Sequence, residues 1–345
     1  MEVNKARDLL SLQELQVTRN VAGAGEEDGY LPLLLRSIMP AIRLTFPLYL
    51  KTFDNQENKI RYLPYCDAEE IFQDDWLKQL RQKGFDRLYF PKESLDRVIA
   101  YLNNFLLCLD QEHTEKNDKL PIMYDHLHLT LNRLLASPNF GTNVQTAVQQ
   151  VENILKGIEQ EILPLSSLWE VICTEYHLYN HSVNVFLITS AFMAYLKKPF
   201  NDSRVLGIAA LLHDIGLLKV PSEILYKEEP LDEGDVAAIH KHPQLGFEML
   251  KDCEAVPVDT PRLVLEHHEN RDGSGYPQGL ELWQQHPYTQ VLRLVDAYDA
   301  LTCHRPFRPA FSAASALEIL LKQKGPGGQV FDQGLLKSFI KFLAL

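Results

Sequence analysis

Along the first third of the chain, apolar residues come in short runs of β-branched, aromatic and leucine side chains broken by polar turns; along the rest they recur at helical spacing. Residues 41–51 and 59–65 predict two strands, with the polar run 54–58 as the turn of a hairpin. Residues 67–73 and 75–83 predict helices and 86–90 a third strand. Pro91, whose fixed φ suits a first helical turn, opens a helix reaching about Leu109. Residues 1–28 read as a short helix followed by a loop rich in glycine and glutamate. From about Leu120 onward strand signals nearly vanish, and apolar positions recur between proline and glycine breaks, the pattern of an all-helical domain. The polar stretch 111–119 marks the boundary. The expected architecture is therefore a small N-terminal α+β regulatory or sensory module, residues 1–119, followed by an all-α domain, residues 120–345. The module shows no clustered ligands, no glycine-rich phosphate loop and no nucleophile constellation.

Composition narrows the function. With 345 residues, 46% of them hydrophobic, the chain can bury a full core. A formal net charge of -12 without any long basic run argues against salt-driven binding to a nucleic-acid polymer. A small anionic substrate stays compatible, because metal ions and a few arginines supply positive charge locally. Cys66, Cys108, Cys173, Cys253 and Cys303 are far apart and form no CxxC pair, so they read as reduced thiols of a cytoplasmic protein. The N-terminus lacks the basic-then-apolar order of a signal peptide. The most apolar run, 183–196, is too short to span a bilayer and contains Asn184, Thr189 and Ser190, which makes it a core helix rather than a membrane anchor.

The histidines carry the chemistry. His177 and His181 lie four apart and share one helical face. His213 and Asp214 follow the apolar run 206–212, which carries both inward on a helix expected to end near Gly216. His242 precedes Pro243, His267 and His268 close the run 264–266, and Asp296 sits in the otherwise largely apolar helix 292–301. Any one of these alone is explained as a hydrogen-bonded core residue. Together, several imidazoles and two carboxylates are costly to bury in one bundle unless cations neutralise and coordinate them. Imidazole nitrogen with carboxylate oxygen suits iron, manganese, zinc or nickel better than calcium or magnesium. Two such cations bridged by an aspartate would bind hydroxide at neutral pH, polarise a phosphoryl group and offset charge developing in an in-line displacement.

The motifs stand in order as His181-Ser182-Val183-Asn184-Val185, His213-Asp214-Ile215-Gly216, His242-Pro243-Gln244-Leu245-Gly246, His267-His268-Glu269-Asn270-Arg271-Asp272-Gly273-Ser274-Gly275-Tyr276-Pro277 and Asp296-Ala297-Tyr298-Asp299-Ala300-Leu301. Over roughly residues 175–321 this set resembles the HD-GYP subgroup of the HD phosphohydrolases. The resemblance implies a helical fold around two or three transition metals, with iron foremost and manganese, zinc or nickel as alternatives. It also implies hydrolysis of cyclic di-GMP to the linear dinucleotide pGpG or to GMP. Carried over by position, one metal takes His181, His213, Asp214 and Asp296, and the second takes Asp214, His242, His267 and His268. Asp214 is then the bridge, and His213 with Asp214 forms the catalytic pair. Arg305 and Arg308 fall where the family places phosphate-binding residues. The loop bearing Tyr276 is implied to contact substrate and diguanylate cyclase (GGDEF) domains, and a homodimer is compatible with all of this.

The sequence departs from the family in two places. Leu217 stands where the family carries lysine after His-Asp-Ile-Gly, with Lys219 two residues later as the side chain that could reach the same space. This leaves open a weakened cyclic-dinucleotide receptor signalling through the Gly-Tyr-Pro loop, and also an HD hydrolase of another nucleotide. His177 stands where trinuclear members carry glutamate, and reads either as a ligand of a third metal or as a packing residue. His113, His126, His128, His240, His286 and His304 read as packing or solvent-facing residues.

Overall fold

The computed structural model describes residues 29–54, 59–111, 119–136, 140–159, 172, 178–225, 227, 229–304 and 308–345. The expected helix and loop of residues 1–28 and most of the 54–58 turn lie outside them. The chain divides into two compact units, Met1–Leu129 and Thr130–Leu345. The division falls inside a helix rather than in the polar stretch before it.

The first unit contains β1 (Tyr30–Leu34), β2 (Leu48–Asp54), β3 (Lys59–Cys66), α1 (Asp74–Gln82), β4 (Arg87–Pro91) and α2 (Leu95–Gln111). The strands form one antiparallel sheet in the order β1-β4-β2-β3. Leu31, Leu33, Leu48, Leu50, Leu88 and Phe90 alternate along their strands and turn inward. There they meet Leu77 and Leu80 of α1 and Val98, Ile99 and Leu102 of α2.

Two expectations need correction here. Residues 67–73 are not helical: Glu69 takes φ +64°, and the backbone of 69–72 bonds instead to 41–44, through Glu69 N–H to Leu44 O (2.7 Å) and Ala41 N–H to Phe72 O (2.8 Å). That pairing also keeps residues 41–47 out of β2. The strand β1 was not anticipated, because Pro32 interrupts it; an edge strand tolerates the missing donor.

The second unit is built from α4 (Phe140–Glu159), α5 (Leu178–Tyr195), α6 (Phe200–Leu212), α7 (Glu233–Ile239), α8 (His242–Leu250), α9 (Thr260–Glu266), α10 (Thr289–Thr302), α11 (Ala313–Lys322) and α12 (Gln333–Leu343). The helix α3 (Lys119–Ala136) holds the division between units. A short hairpin of β5 (Lys324–Gly325) and β6 (Gly328–Gln329) precedes α12. The central helices α5 and α6 are buried almost all round, which is why their apolar residues run on without a polar stripe. They approach closely at Gly207, where an added Cβ would lie 3.3 Å from the Phe186 ring. Among the described residues no helix is long and apolar enough to cross a membrane.

Candidate metal centre

Five segments of the second unit deliver the seven side chains singled out by spacing. His181 comes from α5, His213 and Asp214 from the turn after α6, His242 from the first residue of α8, His267 and His268 from the end of α9, and Asp296 from α10. Six are buried and His268 is half-buried. The turn after Asp214 is a 3-10 helix, Ile215–Lys219, pressed against α8. At Gly216 an added Cβ would sit 2.0 Å from the His242 carbonyl oxygen, so only glycine allows the two segments to touch.

The donors fall into two groups, His181, His213 and Asp296 in one and Asp214, His242, His267 and His268 in the other; within each, one donor atom per residue lies within 4.8 Å of the rest. Asp214 faces both. Its Oδ1 is 3.2 Å from His242 Nε2 and 3.7 Å from His267 Nε2, while Oδ2 is 3.3 Å from His213 Nε2 and 3.8 Å from His181 Nε2. Asp296 Oδ1 lies 3.2 Å from His181 Nε2.

Helix ends fix the tautomers. His213, His242 and His267 donate from Nδ1 to the carbonyls of Ala210 (2.8 Å), Ile239 (2.7 Å) and Val264 (2.6 Å), which belong to the last turns of α6, α7 and α9. Those carbonyls have no intrahelical N–H to accept from. His181 differs, since its Nδ1 donates to the carboxylate of Asp299 at 2.7 Å. With these four Nδ1 atoms so committed, their Nε2 atoms turn inward and meet at 3.3 Å (His213 and His181) and 3.1 Å (His242 and His267). Imidazole lone pairs so close repel unless a cation lies between them. Two nitrogens at about 2.1 Å from a common ion and 90–110° apart are separated by roughly 3.0–3.4 Å, so the donors fit a transition metal.

Charge states agree with that fit. Burial and the neighbouring imidazoles hold His267 well below the ordinary histidine value, and burial takes His268 down to about 3, so both are neutral donors at pH 7. Burial would raise Asp214, but His213 and His242 outweigh it and hold the carboxyl well below the usual range. Asp296 is lowered in the same way against burial by His181, His268 and His213. Burial pulls the His213 ring down, and the adjoining Asp214 more than offsets it.

Around these groups stand residues that spacing did not single out. Asp299 also accepts from Asn184 Nδ2 (3.1 Å) and Cys303 Sγ (3.4 Å), which fix it against His181. Glu269, fully buried, accepts from the N–H groups of Gln278 (2.7 Å), Gly279 (3.2 Å) and Leu280 (2.9 Å), tying down the loop that carries Tyr276. The Tyr276 ring lies 4.6 Å from that of His268 and stacks on His240 at 4.0 Å and 16°. His240 is exposed, as expected of a solvent-facing residue, with one face of its ring against Tyr276. Burial, with the Asp296 and Asp214 carboxylates, raises the Tyr276 phenol and keeps it protonated.

Leu217 is buried and Lys219 is exposed at the end of its turn. Arg308 donates to the carbonyls of Ala300 (2.7 Å) and Leu301 (3.1 Å), capping α10. His177 and Arg305 lie outside the described residues.

A helical unit that gathers two histidine–aspartate groups around one shared aspartate defines the class of HD-type metal-site domains. Residues 168–332 match the HD domain family, and the motif set above resembles that of its HD-GYP subgroup. The chain is 33% identical over 195 residues to the cyclic di-GMP phosphodiesterase PA4108 of Pseudomonas aeruginosa, covering 56% of this chain and 46% of that protein. It is 32% identical over 141 residues to the cyclic di-GMP phosphodiesterase response regulator RpfG of Xanthomonas campestris, covering 41% and 36%. A third relative, the 3'3'-cGAMP-specific phosphodiesterase 3 of Vibrio cholerae, is 32% identical over 203 residues, covering 55% and 43%. The chain thus spans less than half the length of each of these relatives. Among solved structures, an HDGYP protein of Bdellovibrio bacteriovorus, Bd1817, shares the fold with a TM-score of 0.67 at 18% identity, over 92% of this chain and all of that one.

Proposed function

We propose that the chain is a metal-dependent phosphodiesterase that hydrolyses cyclic di-GMP to linear pGpG or GMP. The observation that carries the reading is the pair of donor groups sharing Asp214, with inward Nε2 atoms spaced for cations. Relatives named as cyclic di-GMP phosphodiesterases support the substrate. Two ions of a transition metal, iron first with manganese, zinc or nickel as alternatives, would be held by His181, His213, Asp214 and Asp296 and by Asp214, His242, His267 and His268. His177 is the candidate ligand for a third. When bound, such ions activate water and neutralise phosphoryl charge.

The chain's own residues set the rest. Asp214 fixes the spacing of the two groups through its two oxygens, and His213 beside it holds that carboxylate ionised. Tyr276, protonated and next to His268, offers a hydrogen-bond donor at the edge of the centre. Arg305, Arg308 and Lys219 are the cations we assign to the outer phosphates. The reading extends to a cytoplasmic setting, regulation by the N-terminal unit, contact of the Tyr276 loop with GGDEF domains and assembly as a homodimer. A second substrate, 3'3'-cGAMP, is favoured by the Vibrio cholerae relative. Metal-loaded protein incubated with each cyclic dinucleotide tests both: linear product from cyclic di-GMP, abolished by Asp214→Ala, is expected. Absence of linear product from either compound overturns the enzymatic reading.

A further inference from the structure

Among the described residues, Arg293 is the one arginine or lysine within ion-pair range of the seven donors. It belongs to α10, one turn before Asp296, and its side chain is only 15% exposed. Two contacts fix its stem. Nε donates to Asn270 Oδ1 at 3.1 Å, and the guanidinium lies 5.1 Å from the centroid of the Phe331 ring. The outer end is left unfilled, because Nη1 reaches Asp296 Oδ2 only at 3.8 Å, too long for a hydrogen bond, and neither Nη makes one within the described residues. Asp296 cannot close on it fully, since its other oxygen is turned to His181 and His213.

A guanidinium held this way is costly to bury unless its fork finds an acceptor. The acceptor that fits two coplanar N–H groups is a bidentate oxyanion, and phosphate matches that geometry. The position is shared with Tyr276 and His268, both of which feel the Arg293 charge. Of the cations that the sequence pointed to for this purpose, Lys219 is exposed at the end of its turn, Arg308 is engaged at the end of α10, and Arg305 lies outside the described residues.

We propose that Arg293 binds non-bridging oxygens of a substrate phosphate, placing the phosphodiester against the two donor groups from the Asp296 side. This rests on the phosphodiesterase reading above. The competing role, a counter-ion that only steadies Asp296, predicts different behaviour: its loss would lower metal content, and ligand affinity would fall only as metal is lost.

The test is made on the full, metal-loaded chain with Arg293→Met and Arg293→Lys, reading metal content, thermal stability, KM and kcat for cyclic di-GMP, and binding of pGpG and of inorganic phosphate by calorimetry. Arg293→Met at wild-type metal content is expected to weaken pGpG and phosphate binding and to raise KM by about tenfold or more, the scale of one charge-assisted hydrogen bond. Arg293→Lys, which keeps the charge and loses the fork, should fall between the two. Unchanged pGpG and phosphate affinity in Arg293→Met overturns the proposal, and so does an affinity loss that tracks lost metal. If the methionine variant does not fold, the lysine variant decides: weaker binding at full metal content supports the role, and wild-type binding removes it. Phosphate binding judges Arg293 even if the wild type cleaves no cyclic dinucleotide, in which case it is the substrate reading that has failed.

Discussion

Four histidines of this centre are aimed by what their Nδ1 atoms bond to, and one of the four is aimed differently. A carboxylate on the far side of an imidazole makes it a stronger donor than a backbone carbonyl does, and only His181 has one, in Asp299. Asp299→Asn is therefore expected to lower metal affinity about 10–100-fold at the His181 group, with the His242 group retained. Metal titration with elemental analysis reads this directly, and two equally tight sites in the variant would contradict it. The seven donors themselves were legible in sequence, because each sits at a fixed step from a helix end or an apolar run. Asp299 and Arg293 were not. Asp299 lies one turn past Asp296 on the same helix, and its partner on α5 comes from 118 positions away. His240, beside the charged Lys241, is solvent-facing as its setting suggests, and the returning loop lays Tyr276 on its other side.

At the level of elements, the centre depends on close approaches and on one loop fastening. The contact of the 3-10 turn with α8 leaves no room for a side chain at Gly216, so Gly216→Ala must push His213–Asp214 away from His242. A loss of roughly 1–3 kcal/mol or more in stability is expected, together with lost metal; unfolding curves and metal analysis check it. The Tyr276 loop hangs on Glu269. Glu269→Ala leaves three N–H groups without their acceptor and is expected to lower the melting temperature and raise KM, while the seven donors keep their metal. A variant with wild-type KM would show that the loop holds its place without Glu269. The helical elements were readable because buried helices carry long apolar runs. Residues 67–73 misled because their helical pattern lost to backbone pairing with 41–44, a tertiary contact with no local signature.

The whole molecule joins two units with separate physical controls. In the first, burial pushes the Asp125 carboxyl, which accepts from the Leu34 N–H at 2.9 Å, up to about 7 from its ordinary 3.8. The folded unit then holds a proton that the unfolded chain gives up. The contribution to stability is full below about pH 4 and is lost as pH rises to about 7, at up to ~1.4 kcal/mol per pH unit. Hydrogen exchange at β1 and β4 should show protection falling over that window and flattening in Asp125→Asn; an unchanged slope in the variant would place the titration elsewhere. The division into an α+β unit and a helical unit was visible from the change in hydrophobic rhythm. The joint was not, because a helix continues through it.

The central claim concerns the second unit alone, and anomalous diffraction from crystals of the iron- or manganese-loaded chain tests it most directly. The account predicts one peak among His181, His213 and Asp296 and another among His242, His267 and His268, with an oxygen of Asp214 turned to each. A fully loaded crystal with no peak between those side chains would contradict it.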